Sequence, residues 1–332
     1  MMENNKPIEL LENKPRVKKA IILAGGLGTR FLPATLCLAK ELFPIGNKPI
    51  LMYHLEDLLK AGVTDVLIVG NRLKEESFKQ FLCPSEEYIA KVESDGKLGL
   101  LKEYYDIINQ LNITYINQDA PEFNFNGQVY KNEYLGERGS SIAIGAGKHW
   151  TNGEPFIVLN GDDLCFYPDG TSMSKEVIDV YNQTGDTVVY GKELPREVMW
   201  KYSSMVLGEK TSPDGKSTKM LDIIEKPARG TEPSNIMGFC RYVLTSEFFD
   251  RIFKVQPRPN GEWNMTDVLQ SLARDGKAST CIFGGDYFDC GSDAGYALAN
   301  IYVVNANENS RETAVNGMNK ILKANEAKGF QK

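Results

Sequence analysis

The feature that most constrains this chain is a buried strand that runs directly into a glycine-rich loop. Residues 20–24 form an apolar run, Ala-Ile-Ile-Leu-Ala, which is typical of a strand buried on both faces of a parallel sheet. Three glycines follow in the next four positions: Gly25, Gly26 and Gly28. Glycines allow backbone N–H groups to approach an anion without interference from a Cβ atom. Because Arg30 and Lys40 then add positive charge, the stretch predicts a polyphosphate site.

Two better-known phosphate-binding loops do not fit this spacing. A P-loop requires four residues between its glycines and then Gly-Lys-Ser/Thr, and this stretch contains no such string. A dinucleotide-binding fingerprint requires a third glycine where Phe31 stands, and Pro33 disfavours an immediate helix. For the loop taken alone, an ordinary turn between a strand and a helix stays an open alternative.

The composition disfavours several classes of protein. The net charge of −6 over 332 residues disfavours a nucleic-acid-binding protein, which needs a basic surface. The six cysteines include no C-x-x-C pair, so neither a zinc site nor a disulfide framework is expected. No apolar run reaches the length of a membrane span, and residues 1–19 lack the apolar segment of a signal peptide. We therefore expect a cytoplasmic protein that holds anionic substrates with local cations.

Apolar strands and amphipathic helices alternate after the loop. The spacing of apolar residues predicts helices over residues 50–61, 74–82 and 97–111, and strands over residues 65–70 and 113–116. Helices are also expected over residues 140–150, 294–304 and 313–327. This alternation favours an α/β fold with a doubly wound, mostly parallel mixed sheet. The expected organisation is a loose leader over residues 1–16, an α/β domain over residues 17–292 and a C-terminal helical segment over residues 293–332.

Residues 119–138 interrupt this alternation. They contain several aromatic side chains with no clear period, so we expect a long loop. Loops of this length in compact domains are usually functional or disordered. A substrate lid and a surface segment held by its aromatic residues are both open interpretations.

A second informative stretch is an apolar run over residues 155–159 that is followed by Asp162 and Asp163. Open α/β sheets bind ligands at such strand ends. Because adjacent side chains point to opposite sides, at most one of the two carboxylates is expected to face the glycine-rich loop. A carboxylate in that place suits Mg²⁺, which takes one or two protein oxygens. Capping of a helix by one of these residues is the alternative.

Two further strand ends carry charge. Glu225 and Lys226 follow an apolar strand, where the carboxylate suits sugar hydroxyls and the amine suits a phosphate. A surface ion pair between these two side chains is the alternative interpretation. Asp289 supplies another carboxylate between an aromatic residue and Cys290-Gly291.

These stretches belong to a set of motifs spread along the chain. The motifs are residues 24–35 (AGGLGTRFLPAT), 40–42 (KEL), 48–50 (KPI), 161–164 (GDDL), 225–227 (EKP), 234–235 (SN), 241–244 (RYVL), 266–267 (TD) and 288–292 (FDCGS). In order and spacing they resemble bacterial UTP–glucose-1-phosphate uridylyltransferases, a branch of the sugar-1-phosphate nucleotidyltransferases, over roughly residues 17–305. The Asp-Cys-Gly-Ser end in particular resembles this branch rather than the thymidylyl and adenylyl relatives.

The resemblance implies a glycosyltransferase-A-like fold, dependence on Mg²⁺, and UTP with a hexose 1-phosphate as substrates. It also implies a homodimer or homotetramer, because family members assemble through their C-terminal helices. The positions that match nucleotide-binding residues are Ala24, Gly25, Gly26, Gly28, Thr29, Gly139, Ser140 and Gln118, the last of which matches the glutamine that reads uracil. The implied catalytic cations are Arg30, Lys40 and Lys226, and the implied Mg²⁺ ligands are Asp162 and Asp289. The implied sugar-binding residues are Asp163, Glu225, Gly238 and Cys240.

Two segments depart from the family pattern. Residues 139–143 read Gly-Ser-Ser-Ile-Ala where the family has Gly-Leu-Gly-His-Ala, and Cys240 stands where the family has glycine. Gly238, two residues earlier on the same face of the strand, is a candidate to replace that glycine. Cytidylyl- or thymidylyltransferase activity, another sugar, and a non-catalytic sugar-nucleotide-binding protein therefore stay open.

The implied reaction needs no protein nucleophile. The oxygen of a sugar phosphate is anionic at neutral pH, attacks the α-phosphorus in line, and pyrophosphate leaves. Catalysis is therefore expected from alignment of the substrates and from neutralisation of charge. His54 and His149 are accordingly expected to be structural rather than catalytic.

Overall fold

The computed structural model describes residues 16–212 and 214–327, so the predicted leader lies outside the described residues except for Arg16. The strands are β1 (Lys19–Leu23), β2 (Pro44–Ile45), β3 (Lys48–Pro49), β4 (Asp65–Gly70), β5 (Asn112–Asn117), β6 (Glu122–Phe125), β7 (Gln128–Lys131), β8 (Phe156–Asn160), β9 (Asp163–Phe166), β10 (Thr187–Glu193), β11 (Ser203–Lys210), β12 (Ser217–Glu225), β13 (Ile236–Leu244), β14 (Ala278–Phe283) and β15 (Asp286–Asp289). The α-helices are α1 (Ile50–Lys60), α2 (Glu75–Leu82), α3 (Glu86–Ser94), α4 (Lys102–Ile108), α5 (Ser140–Gly145), α6 (Lys148–Thr151), α7 (Met173–Thr184), α8 (Glu247–Arg251), α9 (Met265–Arg274), α10 (Asp293–Ala306) and α11 (Glu308–Ala327).

The core of the fold is a nine-stranded sheet in the order β11-β12-β14-β10-β13-β8-β1-β4-β5. Strands β12 and β13 are antiparallel to both of their neighbours, and the other strands run in one direction. The predicted α/β fold with a mostly parallel mixed sheet is therefore confirmed.

The strand order reverses at β1. The chain proceeds from β1 to β4 and β5 on one side, whereas β8 pairs with β1 on the other side. The carboxyl ends of β1 and β8 therefore flank the point at which open α/β sheets bind their ligands. The glycine-rich loop follows β1, and Asp162 follows β8.

Two apolar clusters cover the two faces of the sheet. Ala20 and Ile22 of β1 pack with helices α1 and α7, whereas Ile21 packs with α5, α8 and α9. This alternation follows from the two-residue period of a strand, which directs successive side chains to opposite faces. The apolar run that predicted a strand buried on both faces is thereby explained.

Residues 119–138 differ from the predicted long loop, because β6 and β7 form a hairpin. The turn is Asn126-Gly127, with φ of 53° and 83°, and this pair is typical of two-residue hairpin turns. The side chains of Phe123 and Phe125 lie on the same face of β6 and are buried in the core. This burial fits the interpretation of a segment held by its aromatic residues. His149 stacks on Tyr130 of this hairpin with ring centroids 4.3 Å apart, in agreement with a structural role.

Two predicted helices differ in extent from the structure. Residues 97–111 contain a short 3-10 helix, Leu98–Leu101, followed by α4, and α3 precedes it. The helix that we predicted over residues 140–150 is divided into α5 and α6 by Ala146 and Gly147. A Cβ on Gly147 would lie 2.6 Å from Cδ1 of Ile21, so this turn is packed tightly against β1.

The C-terminal segment forms the two helices that the sequence predicts, and α10 packs against the protein near β2. The hydroxyl of Tyr296 donates a hydrogen bond to the carbonyl of Pro44 at 2.7 Å. Leu298, Ile321 and Leu322 are more than half exposed. Assembly through these helices and the proposed domain boundaries remain predictions. Among the described residues, we find no helix with the length and apolar character needed to cross a membrane.

Candidate active site

The glycine-rich loop leaves β1 and enters three short 3-10 helices, Thr29–Phe31, Ala34–Leu36 and Lys40–Leu42, rather than an α-helix, which Pro33 disfavoured. Gly28 has a φ of 68°, and a Cβ at this position would lie 2.9 Å from Cγ2 of Thr35. A Cβ on Gly26 would lie 3.7 Å from Nζ of Lys40. The loop is therefore closely packed against its own return segment, and the Lys40 amine lies next to the loop backbone. Ala24 is buried, whereas Gly26, Thr29 and Arg30 are exposed.

Side chains at the ends of the neighbouring strands hold the loop. The side-chain amide of Asn71 donates to the carbonyl of Gly25 at 2.6 Å. Gln118, directly after β5, lies against the same residue, because a Cβ on Gly25 would be 2.7 Å from Oε1 of Gln118. The structure thus brings Gln118 to the loop, as its predicted contact with the base requires.

The two candidate metal ligands converge at Gly291. Strand β15 pairs with β9, and the N–H of Cys290 donates to the carbonyl of Asp162 at 2.9 Å. A Cβ on Gly291 would clash with Oδ2 of Asp162 and would lie 3.0 Å from Oδ1 of Asp289. It would also lie 2.9 Å from Nη2 of Arg30. Absence of a side chain at Gly291 therefore leaves a small space bordered by two carboxylates and one guanidinium.

Both candidate phosphate-binding cations are paired with these carboxylates. Nη1 of Arg30 is 3.6 Å from Oδ2 of Asp289, and Lys40 forms a salt bridge with Asp162. Burial lowers the pKa of Lys40, but the charges of Asp162 and Glu41 outweigh it, so the pKa is raised overall. Lys40 is therefore a stable cation beside the loop.

Two buried charged residues next to the loop were missed by sequence reasoning. Glu41 is 1 % exposed, and its Oε2 accepts a hydrogen bond from Nζ of Lys74 at 2.9 Å, while Nζ of Lys40 is 3.9 Å from its Oε1. Burial raises the pKa of Glu41, against the opposing effects of Lys74 and Lys40. Glu41 stands within the KEL motif, but nothing in the sequence indicated that Lys74 would be its partner.

Asp163 points away from the loop, in agreement with the expectation that only one of the adjacent carboxylates faces it. Its oxygens accept hydrogen bonds from the amide of Asn160 and the hydroxyl of Tyr287, each at 2.8 Å. Burial, together with the negative charge of Asp162, raises the pKa of Asp163 to about 7. Asp163 is therefore held by Asn160 and Tyr287, and its contact with a sugar remains a prediction.

Glu225 and Gly238 lie close together at the end of the hairpin formed by β11 and β12. Ser203 pairs with Glu225, and the N–H of Gly238 donates to the Ser203 hydroxyl at 3.2 Å. Oε2 of Glu225 also accepts a hydrogen bond from the hydroxyl of Thr266 at 3.0 Å. A Cβ on Gly238 would lie 2.9 Å from Cδ1 of Ile223, so a larger residue would disturb this packing. Cys240 belongs to β13, but its side chain lies outside the described part of the structure.

Residues 139–143, which depart from the family pattern, lie against residues 263–265, directly before Thr266. Ser140 accepts a hydrogen bond from the N–H of Met265 at 2.8 Å, and the N–H of Ser141 donates to the carbonyl of Trp263 at 3.0 Å. Gly139 has a φ of 119°, and a Cβ there would clash with the backbone of Trp263. Gly139 and Ser140 are thus held against Trp263 and Met265, directly before Thr266, which donates the hydrogen bond to Glu225.

Among the described residues, the Lys226 side chain does not contact the carboxylates of Asp162 or Asp289. It has a φ of 47° and an exposed side chain, and among the described residues this side chain forms no hydrogen bond or ion pair. The sequence-predicted residues therefore fall into two groups. One group lies at the glycine-rich loop with Asp162 and Asp289. The other comprises Glu225 with its partner Thr266, and Gly139 and Ser140, which contact the residues just before Thr266.

Comparison with known proteins identifies extensive similarity. The Nucleotidyl transferase family matches residues 19–304. A UTP–glucose-1-phosphate uridylyltransferase of Staphylococcus epidermidis is 32% identical over 286 residues, covering 86% of this chain and 92% of that protein. One from Pseudomonas aeruginosa is 33% identical over 283 residues, covering 85% of this chain and 94% of that protein. A crystal structure of UDP-glucose pyrophosphorylase complexed with UDP-glucose has a TM-score of 0.74 and 28% identity, covering 88% of this chain and 100% of that chain.

Proposed function

Because this chain belongs to the nucleotidyl transferase family, we propose that it transfers the uridylyl group of UTP to glucose 1-phosphate. The two substrates are those named for the similar proteins of Staphylococcus epidermidis and Pseudomonas aeruginosa. The observation that carries the proposal is the convergence of Asp162, Asp289 and Arg30 on Gly291, beside the glycine-rich loop. This arrangement combines the groups needed to hold a nucleoside triphosphate.

The reaction exchanges one phosphorus–oxygen bond for another. A phosphate oxygen of glucose 1-phosphate attacks the α-phosphorus of UTP, and the bond between that phosphorus and the β-bridging oxygen breaks. The electron pair leaves with pyrophosphate, and the products are UDP-glucose and pyrophosphate. The attacking oxygen is already anionic at neutral pH, so the protein contributes alignment and positive charge rather than a nucleophile.

The residues around the loop would act on the triphosphate. N–H groups of Gly25, Gly26 and Gly28 would face phosphate oxygens, since these positions lack side chains. Arg30 and Lys40 would neutralise the negative charge that grows on the departing pyrophosphate. Arg30 is 62 % exposed, which leaves its guanidinium accessible to a bound nucleotide.

Mg²⁺ fits the carboxylate pair. Mg²⁺ is commonly bound by one or two carboxylates together with substrate phosphates, and Asp162 and Asp289 both border the space that a Cβ on Gly291 would fill. We propose these two residues as its ligands. When bound, Mg²⁺ would supply neutralisation and orientation of the phosphate groups.

Residues of the second group would bind the sugar phosphate. Glu225 would accept hydrogen bonds from hexose hydroxyls, and its orientation is supported by the hydrogen bond from Thr266. Lys226 is exposed and adjacent, so its amine is free to contact the phosphate of the incoming sugar. Contact of Gly238 with the sugar stays a prediction of the resemblance, because Ile223, Met205 and Ser203 fill the space that a side chain at this position would occupy.

Gln118 is our candidate for recognition of uracil. A glutamine amide donates to a carbonyl and accepts from the ring N–H of uracil, and cytosine does not offer the same pattern. A site built on such polar contacts rejects a mismatched base strongly, because its own groups are left unpaired. The position of Gln118 against Gly25 supports this assignment.

The test is a panel of UTP, dTTP and CTP against several sugar 1-phosphates, with pyrophosphate release as the readout. We expect the highest kcat/KM for UTP with glucose 1-phosphate. Gln118→Ala should reduce the preference for UTP, whereas Gln80→Ala, which removes an exposed glutamine amide on α2, should preserve it. A native preference for CTP, or an unchanged base preference in Gln118→Ala, would refute the uridylyl assignment. Absence of pyrophosphate release from all pairs would favour a non-catalytic protein.

A further inference from the structure

Three buried polar side chains behind Asp162 form a network that the proposed chemistry does not use. Arg241, which begins the RYVL motif, is 1 % exposed, His54 is fully buried and Asp57 is 7 % exposed. Arg241 lies on β13, whereas His54 and Asp57 lie one turn apart on α1. Buried charges and imidazoles are retained only where other groups satisfy them.

Asp57 anchors the guanidinium of Arg241 to the start of α7. Nε and Nη2 of Arg241 are each 3.4 Å from Oδ2 of Asp57. The same carboxylate accepts hydrogen bonds from the N–H of Met173 at 3.0 Å and the hydroxyl of Ser174 at 2.6 Å. The negative charge therefore lies at the N-terminus of a helix, which stabilises it further.

The guanidinium fixes the tautomer of His54. Nη2 of Arg241 is 3.3 Å from Nδ1 of His54, and arginine can only donate, so Nδ1 must accept. The ring proton is consequently on Nε2, which donates to the carbonyl of Gly161 at 3.2 Å. Burial and the charge of Arg241 lower the pKa of His54 to about 3, so the ring is neutral at physiological pH.

Gly161 is held from two sides and directly precedes Asp162. Its N–H donates to the carbonyl of Leu23 at 2.9 Å, at the end of β1. A Cβ on Gly161 would lie 2.7 Å from that carbonyl oxygen and 2.8 Å from Cγ of Glu41. The only side-chain hydrogen bond to Gly161 within the described residues is that from His54.

We propose that His54 and Arg241 are positioning residues that fix the Gly161 peptide and thereby aim the Asp162 carboxylate at the space beside Gly291. The proposal rests on the proposed function, in which Asp162 binds Mg²⁺ and thereby strengthens nucleotide binding. Neither residue touches that space, so both act through Asp162. The network also links Arg241 of the RYVL motif, which is far from Asp162 along the chain, to the candidate active site.

The test measures the Kd of UTP by calorimetry with and without saturating Mg²⁺, in the absence of sugar phosphate so that no turnover occurs. The ratio of the two Kd values, the Mg²⁺ factor, says how much Mg²⁺ tightens UTP binding. His54→Phe removes both ring nitrogens, and we expect it to reduce this factor by about 10-fold or more, as for other groups that orient metal ligands. His54→Gln retains one donor and one acceptor, and we expect it to recover most of the loss.

Leu55→Ala is the matched control for a general loss of packing. Leu55 is fully buried on the same helix and belongs to the apolar core, so its truncation destabilises the fold without removing a hydrogen bond to Gly161. We expect Leu55→Ala to keep the Mg²⁺ factor within about 2-fold of the native value, well inside the expected His54 effect. An equal loss in Leu55→Ala and His54→Phe would overturn the proposal.

Asp162→Asn separates this proposal from the proposed function. If it abolishes the Mg²⁺ factor while His54→Phe leaves it unchanged, the positioning role is refuted and the function stands. If Asp162→Asn itself has no effect, the metal role of Asp162 fails and the positioning role fails with it. If His54→Phe does not fold, Arg241→Lys takes its place. This variant keeps a positive charge facing Asp57 but removes the donor to His54. An unchanged Mg²⁺ factor in Arg241→Lys refutes the proposal.

Discussion

Gly291→Ala tests the proposed arrangement of Asp162, Asp289 and Arg30 most directly. The added Cβ would clash with Oδ2 of Asp162 and lie 2.9 Å from Nη2 of Arg30, separations that real Cβ atoms essentially never show, and it would lie a tight 3.0 Å from Oδ1 of Asp289. Asp162 must therefore move by on the order of 0.5–1 Å, because close-packed atoms do not interpenetrate. Misplacement of about 1 Å in a catalytic arrangement costs about 100-fold in rate, or roughly 2.7 kcal/mol of transition-state stabilisation.

The assay is kcat/KM from pyrophosphate release, with the urea midpoint measured in parallel. The atoms displaced in Gly291→Ala are side-chain ends, and Gly291 does not have a positive φ, so we expect stability to change much less than activity. Gly284→Ala is the control, since this exposed glycine precedes β15 and its nearest neighbour would be 3.9 Å from the new Cβ. Near-native activity of Gly291→Ala would refute the view that these three side chains act together.

Three further predictions follow from single groups. Asp162→Asn and Asp289→Asn should each lower kcat by about 100-fold or more while the fold survives, because they remove charge but little volume; near-normal kcat would exclude that residue as a Mg²⁺ ligand. Ser141 is buried and its hydroxyl has no partner within the described residues, so Ser141→Ala should not lower the free energy of unfolding. Ser174→Ala, which removes a donor to Asp57, should lower it by about 1–3 kcal/mol, and equal losses in urea unfolding would contradict this contrast. The pKa of His54 is about 3 in the folded protein and about 6.5 in the unfolded chain. The stabilisation that neutral His54 gives the folded state is therefore complete above about pH 6.5 and is lost as the pH drops towards 3. His54→Gln should therefore lose less stability between pH 7 and pH 5 than the native protein, and parallel losses would exclude His54 as the cause.

Much of the fold was predictable because the relevant signals are local. The apolar run of β1 and the glycines after it specify a buried strand and an open loop from a few adjacent residues. The hairpin of β6 and β7 was also marked locally, by Asn126-Gly127 between alternating aromatic residues, although we predicted a loop there. At this segment the Asn-Gly turn indicated the structure correctly, although the apolar residues show no clear period.

The sequence by itself determined which residue types stand at the strand ends: glycines after β1, Asp162 after β8 and Asp289 in β15. Only the tertiary structure decided that the two carboxylates meet at Gly291, that Lys74 neutralises Glu41, and that Asp163 turns inward. Local patterns set secondary structure through the period of a strand and the freedom of glycine. Contacts between distant segments depend on strand order and register, and a register shift of one residue would turn strand residues such as Asp163 and Asp289 to the other face.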